Sequence, residues 1–217
     1  MNVEQARFNM IEQQIRPWNV LDPHVLELLG AVKREDFVPL AHKALAFVDM
    51  EIPLPGGGTM LSPRVEARLV QEVNAQRHEK LLQIGVGCGY VTALLAHRAQ
   101  RVLALESDAE LVSLARANLQ KAGVFNAEVR HADAASGVAA EQPFDAIVLA
   151  GSVAQVPQEL LRQLKIGGRL VAIVGEEPMM YATVVTRTGE ASFDSRQAWD
   201  TVTPRLSGFA EPSRFKF

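Results

Sequence analysis

Lys80-Leu81-Leu82-Gln83-Ile84-Gly85-Val86-Gly87-Cys88-Gly89-Tyr90 sets the architecture. An apolar run breaks into a glycine-rich turn, and the helix-like segment Tyr90-Val91-Thr92-Ala93-Leu94-Leu95-Ala96 follows. Strand, glycine turn and helix in this order are how open parallel sheets hold a nucleotide-like ligand. The missing side chains let the ligand approach the main chain, and N–H groups at the helix start are expected to point toward it. The spacing is G-x-G-x-G. The dinucleotide fingerprint G-x-G-x-x-G needs a third glycine at position 90, which is Tyr, so the pattern favours S-adenosylmethionine over NAD.

Working outward, Arg101-Val102-Leu103-Ala104-Leu105 reads as the next strand, with Glu106 at its carboxyl end. A carboxylate about 20 residues past the turn can accept hydrogen bonds from the two ribose hydroxyls of an adenosine. Ser107 with Glu110 reads as a capping box for a helix reaching Lys121, and Gly123 suits the position just past its end. Glu128-Val129-Arg130 gives a short third strand, and the loop after it carries Asp133 where the adenine should lie. Phe144 to Ala150 is apolar enough for a central parallel strand. Pro157 opens a short helix through Leu164, and Gly167-Gly168 turns the chain into the strand Arg169 to Val174. This alternation predicts an α/β fold with a doubly wound, mostly parallel sheet.

The flanks differ from this core. Asp22-Pro23 and Ser62-Pro63 start two helices in the N-terminal part, separated by the Pro/Gly-rich stretch Ile52 to Thr59. Ala182 to Thr188 and Ala191 to Trp199 read as antiparallel strands joined near Gly189, with Arg214 to Phe217 as a candidate further strand. We expect one domain over residues 1–217. Within it, 1–78 form an N-terminal helical layer on the acceptor side, 79–175 the cofactor-binding core, and 176–217 the C-terminal antiparallel strands.

Charge and composition narrow the function. With 22 basic against 25 acidic residues and no dense Lys/Arg run, no nucleic-acid or membrane-surface partner is expected. A single cysteine excludes an intrachain disulfide, and no basic leader or long apolar span occurs, so a cytoplasmic location is expected. The five histidines are scattered without metal-ligand spacing, so no metal site is expected. Cys88 reads as a small residue in a tight turn and not as a nucleophile. The absence of an acid–base pair does not count against methyl transfer. An acceptor that is already a carboxylate needs only alignment and exclusion of water.

Met10-Ile11-Glu12-Gln13-Gln14-Ile15-Arg16-Pro17, Val32 to Pro39, Asp49 to Pro53, the glycine turn, Glu106, Asp133, Phe144 to Ile147 and Gln163 to Val171 together resemble the protein-L-isoaspartate O-methyltransferases. The resemblance implies a Rossmann-like class I S-adenosylmethionine methyltransferase fold and methylation of isoaspartyl carboxylates in damaged proteins. It implies a cofactor set of Gln83, Gly85, Val86, Gly87, Gly89, Glu106, Ser107, Asp133 and Ala134, with Thr59 and Ser62 as acceptor-side catalytic residues.

The chain departs from the family in places. Gly58-Thr59-Met60-Leu61-Ser62-Pro63 puts Leu61 where the family has Ser, and Ser62 also suits a plain helix N-cap. Gln83 replaces the family's acid, and Thr201 to Leu206 only loosely matches the family's closing aromatic-V-P-L. A divergent member is the reading. A different carboxylate acceptor for the same chemistry, or a cofactor-binding protein without isoaspartyl activity, stay as alternatives.

Overall fold

A computed structural model describes residues 2–133 and 135–211. The chain opens with α1 (Val3–Asn9), whose N–H groups are capped by the Asn2 side chain, and continues through irregular helical turns to Trp18. In α2 (Pro23–Ala31), the Asp22 carboxylate accepts the His24 N–H at 2.8 Å, the cap that Asp-Pro spacing predicts. The Pro/Gly stretch contains a two-residue ladder, β1 (Ile52–Pro53) against β2 (Thr59–Met60), closed by Gly56 at φ +66°. Then α3 (Pro63–Val73) begins. Ser62 stands at its N-cap in extended backbone, but its hydroxyl bonds no main-chain N–H there.

The core follows as β3 (Lys80–Ile84), α4 (Tyr90–Arg98), β4 (Arg101–Glu106), α5 (Ala109–Lys121), β5 (Ala127–His131), β6 (Phe144–Val153), α6 (Gln158–Leu161), β7 (Leu164–Glu176), β8 (Met179–Arg187) and β9 (Phe193–Asp200). Seven strands form one sheet in the order β5-β4-β3-β6-β7-β8-β9; the first five are parallel and the last two antiparallel. The doubly wound sheet with C-terminal antiparallel strands is therefore as expected. Strand order reverses between β3 and β6, and in such sheets the crevice outside the carboxyl ends at that reversal takes the ligand.

Residue alternation splits the core cleanly. Leu81, Val102, Ala104, Ala146 and Val148 face α3, α4, α5 and the N-terminal helices. Leu82, Ile84, Leu103, Leu105, Ile147 and Leu149 face the other side, covered by α6 and by Leu206 and Phe209 near the chain end. Each period-2 strand is thus buried on both faces, which explains its nearly continuous apolar sequence.

Three local expectations change. The α5 cap is Asp108, whose carboxylate accepts the N–H groups of Glu110 (2.7 Å) and Leu111 (3.0 Å). Ser107 is not free to cap, because its own N–H is bound to Glu106. The helix after Pro157 stops at Leu161, because Leu164 already pairs with Phe144 in the sheet. For the same reason Gly167 and Gly168 lie within β7 and do not precede it. The candidate strand Arg214–Phe217 lies outside the described residues.

Candidate active site

At the carboxyl ends of β3, β4 and β6 a cleft of about 370 Å³ opens, within the range of small-molecule sites. One wall is Gly85, Gly87, Glu106, Ser107 and Asp108; the facing wall is Gly56 to Thr59 with Leu61. The glycines earn their place by geometry. Gly85 (φ +77°) and Gly87 (φ +54°) occupy the left-handed region that side chains avoid.

Glu106 organises this wall. Its Oε2 accepts the N–H groups of Val86 (2.8 Å) and Gly87 (3.0 Å), and its Oε1 accepts those of Ser107 (2.9 Å) and Asp108 (3.2 Å). A carboxylate offers about four acceptor sites, so main-chain donors engage all of them here. The N–H groups of the turn itself do not face the cleft. Those of residues 86 and 87 point into Glu106, and that of Gly89 is bound to the Val86 carbonyl at 3.0 Å.

The other predicted residues divide. Ser107 lines the cleft, with its Oγ 3.0 Å from Ser207 Oγ. Gly89 faces away and abuts Ala115 of α5; a Cβ there would lie 3.3 Å from that side chain, so its role is close packing of α4. Val86 is buried behind the turn. Gln83 is fully buried. Its Nε2 donates to the Gly85 carbonyl at 3.0 Å, and its Oε1 has no donor among the described residues. Asp133 is exposed beside Gly208, outside the cleft lining, and accepts the Ala135 N–H at 3.3 Å. Ala134 lies outside the described residues. Cys88 is buried, and burial pushes its thiol above the usual range, away from nucleophilic duty.

The facing wall is held from behind. Arg34, wholly buried, donates to the Leu61 carbonyl (2.8 Å) and the Ala46 carbonyl (3.0 Å) and pairs with Glu66 of α3. The guanidinium also lies 5.4 Å from the centre of the Tyr90 ring. Thr59 and Leu61 line the cleft, whereas Ser62 is buried outside its lining.

A strap that sequence reasoning did not place in the site completes it. Pro204, Arg205, Leu206 and Ser207 line the cleft. The Ser152 N–H donates to the Pro204 carbonyl, the Leu206 N–H to the Ser152 carbonyl, and the Ser152 hydroxyl to the Thr203 carbonyl, each at 2.9 Å. Arg205 Nη1 reaches the Gly175 carbonyl at 2.9 Å. Leu206 then presses on the turn: a Cβ on Gly85 would lie 2.6 Å from Leu206 Cδ2, and one on Gly151 2.8 Å. The signal in the sequence was the loose match at Thr201 to Leu206.

Residues 5–203 match the family model for protein-L-isoaspartate(D-aspartate) O-methyltransferase. The chain belongs to this family. It is 37% identical over 187 residues to the protein-L-isoaspartate O-methyltransferase of Syntrophus aciditrophicus, covering 86% of each chain. It is 40% identical over 176 residues to protein-L-isoaspartate O-methyltransferase 1 of Syntrophobacter fumaroxidans, covering 81% of this chain and 82% of that one. A solved Plasmodium falciparum chain described as a beta-aspartate methyltransferase, in complex with S-adenosyl-L-homocysteine, superposes with a TM-score of 0.78 at 18% identity. The match covers 96% of this chain and 99% of that one. That likeness shows the fold.

The residues present fit the methyl donor of an isoaspartyl methyltransferase. Gly85 and Gly87 present main chain without side chains to the cleft beside Glu106, and Ser107 offers a hydroxyl; Gln83 Oε1, an unclaimed buried acceptor, lies behind the cleft lining.

Proposed function

We propose that this cleft binds S-adenosylmethionine and that the chain methylates the side-chain carboxylate of isoaspartyl residues in peptides and proteins. What carries the reading is one cleft with two unlike walls: Gly85, Gly87 and Glu106 on one side, Thr59 and Leu61 on the other, in a chain of this family. When bound, the cofactor supplies an electrophilic methyl group.

The protein's own contribution is placement. Glu106 fixes the glycine turn and offers its carboxylate to the ribose hydroxyls, which share its oxygens with the main-chain donors. Gln83, behind the cleft lining, supports the turn from below by donating to the Gly85 carbonyl, and its free Oε1 is the acceptor proposed for the cofactor's polar end. Thr59, whose hydroxyl makes no hydrogen bond among the described residues, orients the acceptor carboxylate. Leu61 and Leu206 exclude water, which leaves the acceptor oxygen weakly solvated and the transfer in line. No general base is needed, because the acceptor is ionised at neutral pH. Ser62 contributes through the start of α3, and Asp133 is assigned to the adenine end in the same proposal. Among the described residues no helix is long and apolar enough to cross a membrane; a cytoplasmic setting is proposed, supported by the single buried thiol.

A methanol vapour-diffusion assay on an isoaspartyl peptide tests the reading. Methyl ester above background is expected, and none despite bound cofactor rejects it. Leu61 favours a second reading, the same transfer to a more apolar carboxylic acid. Ester formed on such an acid but on no isoaspartyl peptide would select it.

A further inference from the structure

A second cleft, of about 540 Å³, lies on the same edge of the sheet, where β8 begins and β9 ends. Arg64, Arg68, Trp18, Trp199, Met179 and Val202 line it. The two arginines, one helical turn apart on α3, each lie over an indole. Arg64 sits 4.2 Å from the centre of the Trp18 ring and Arg68 4.4 Å from that of Trp199. Arg64 is also paired, its Nε 3.2 Å from Asp49 Oδ2. Arg68 is not. Among the described residues it makes no ion pair or hydrogen bond, and its Nε is buried without an acceptor.

Trp199 is 8% exposed, and its Nε1 likewise has no acceptor among the described residues. The acids around Arg68 are Asp200 in the lining and Glu72, already engaged by Arg196 at 2.5 Å. Burial outweighs them and pulls the Arg68 pKa below its usual value. The rim is apolar and open: Trp18 is 49% exposed, Met179 67% and Val202 46%.

Buried donors without acceptors, flanked by exposed apolar groups, fit a carboxylate attached to a polypeptide. Location points to which one. Leu61 lines the catalytic cleft and Arg64 this one, so their Cα atoms are at most about 10 Å apart, the reach of three extended residues. We propose that this cleft holds an Asp or Glu side chain two to four residues from the isoaspartyl residue, so that Arg68 selects among damaged sites by their flanking sequence. The proposal rests on the isoaspartyl reading for its substrate.

The chain's only two tryptophans, Trp18 and Trp199, both line this cleft, so intrinsic fluorescence reports its occupancy. Seven-residue isoaspartyl peptides carrying Glu or Gln three residues to either side are the probes, with a matching Glu peptide in which Asn replaces isoaspartyl. In one arrangement, the Glu peptides should shift the fluorescence with a Kd about five- to ten-fold below that of the Gln peptides, and added salt should narrow the gap. Methyl-transfer kcat/KM should show the same ratio.

Arg68→Gln should abolish the difference and Arg68→Lys retain part of it, with S-adenosylhomocysteine titration showing that both variants are folded. Equal Kd values for the Glu and Gln peptides, or a preference that survives Arg68→Gln, would overturn the assignment. Ester formed equally on all isoaspartyl peptides, with no fluorescence difference, rejects this cleft's role and spares the isoaspartyl reading. A fluorescence preference that includes the Asn peptide, with no ester on any peptide, does the reverse.

Discussion

On one side of the candidate cleft, Glu106 gathers the N–H groups of residues 86, 87, 107 and 108 around a single carboxylate. On the other, the Leu61 main chain is held by Arg34, which is paired with Glu66, and neither of these lines that cleft. The first wall is built mainly from one stretch of chain, its strand, turn, clamp and next helix following one another, with Leu206 and Ser207 added from the strap. The second is assembled from segments some thirty residues apart and depends on a buried ion pair. The two therefore fail differently. Damage to the cofactor wall should act on ligand affinity first, damage to the acceptor wall on folding first. They meet again at the far end of the sheet. There Arg169 bonds the Asn74 carbonyl after α3 (2.9 Å) and takes both oxygens of Glu79 before β3 (2.8 Å each).

The largest expected effect comes from the acceptor wall. Arg34→Met leaves the Glu66 carboxylate buried without its partner and should cost about 3–5 kcal/mol in urea unfolding. The double variant Arg34→Met/Glu66→Leu should recover most of that loss. If the single variant unfolds like the parent, the wall does not depend on the pair.

Next is Glu106→Gln, which removes the charge and replaces one acceptor oxygen with a donor. Cofactor affinity by calorimetry should fall roughly ten- to a hundred-fold, about the worth of charged hydrogen bonds, and the unfolding midpoint should fall too, because the amide nitrogen faces two main-chain N–H donors. A larger loss of stability than of affinity would erase the contrast between the walls.

Leu61→Ser sharpens it from the reactive side. A hydroxyl in place of an apolar wall should raise kcat/KM on an isoaspartyl peptide about ten-fold and leave cofactor affinity near the parent value. No gain would mean that Thr59 already supplies the orienting contact.

The smallest effect concerns the shared end. Burial works to raise the Glu79 pKa, but the paired bonds from Arg169 and the Gln76 N–H outweigh it and hold the carboxyl below the usual range. A depressed carboxyl contributes stability above its unfolded pKa of about 4.3, and that contribution disappears as pH falls through the folded value. Glu79→Gln should therefore be less stable than the parent by about 1 kcal/mol at pH 7, with the gap closing below about pH 4. A gap unchanged at pH 3 would assign the effect to packing.

Contiguity explains what could be read in advance. The parallel sheet, the positive-φ glycines and the acid at 106 follow from patterns within a few dozen residues, and they stand where the sequence puts them. Ser107 and Asp108 are both good caps by composition. Only the capture of the Ser107 N–H by Glu106 decides for Asp108, and no local rule contains that bond. The helix after Pro157 is cut short by pairing between Leu164 and Phe144, twenty residues apart. Arg34 carried no chemical signal in the sequence, because its partners at 46, 61 and 66 come together only after folding. The same holds for Leu206, which meets Gly85 across the sheet's edge.

That last contact has a practical side. Thr203, Pro204 and Leu206 are fastened to Ser152 through their peptide groups, while their side chains do none of the fastening. Trimming the leucine would widen the mouth of the cleft while those main-chain pins stay in place, at the cost of some packing on the Leu82 face of the sheet. Libraries that vary position 206 alone are a route to retuning which molecules gain entry and how quickly spent nucleoside escapes.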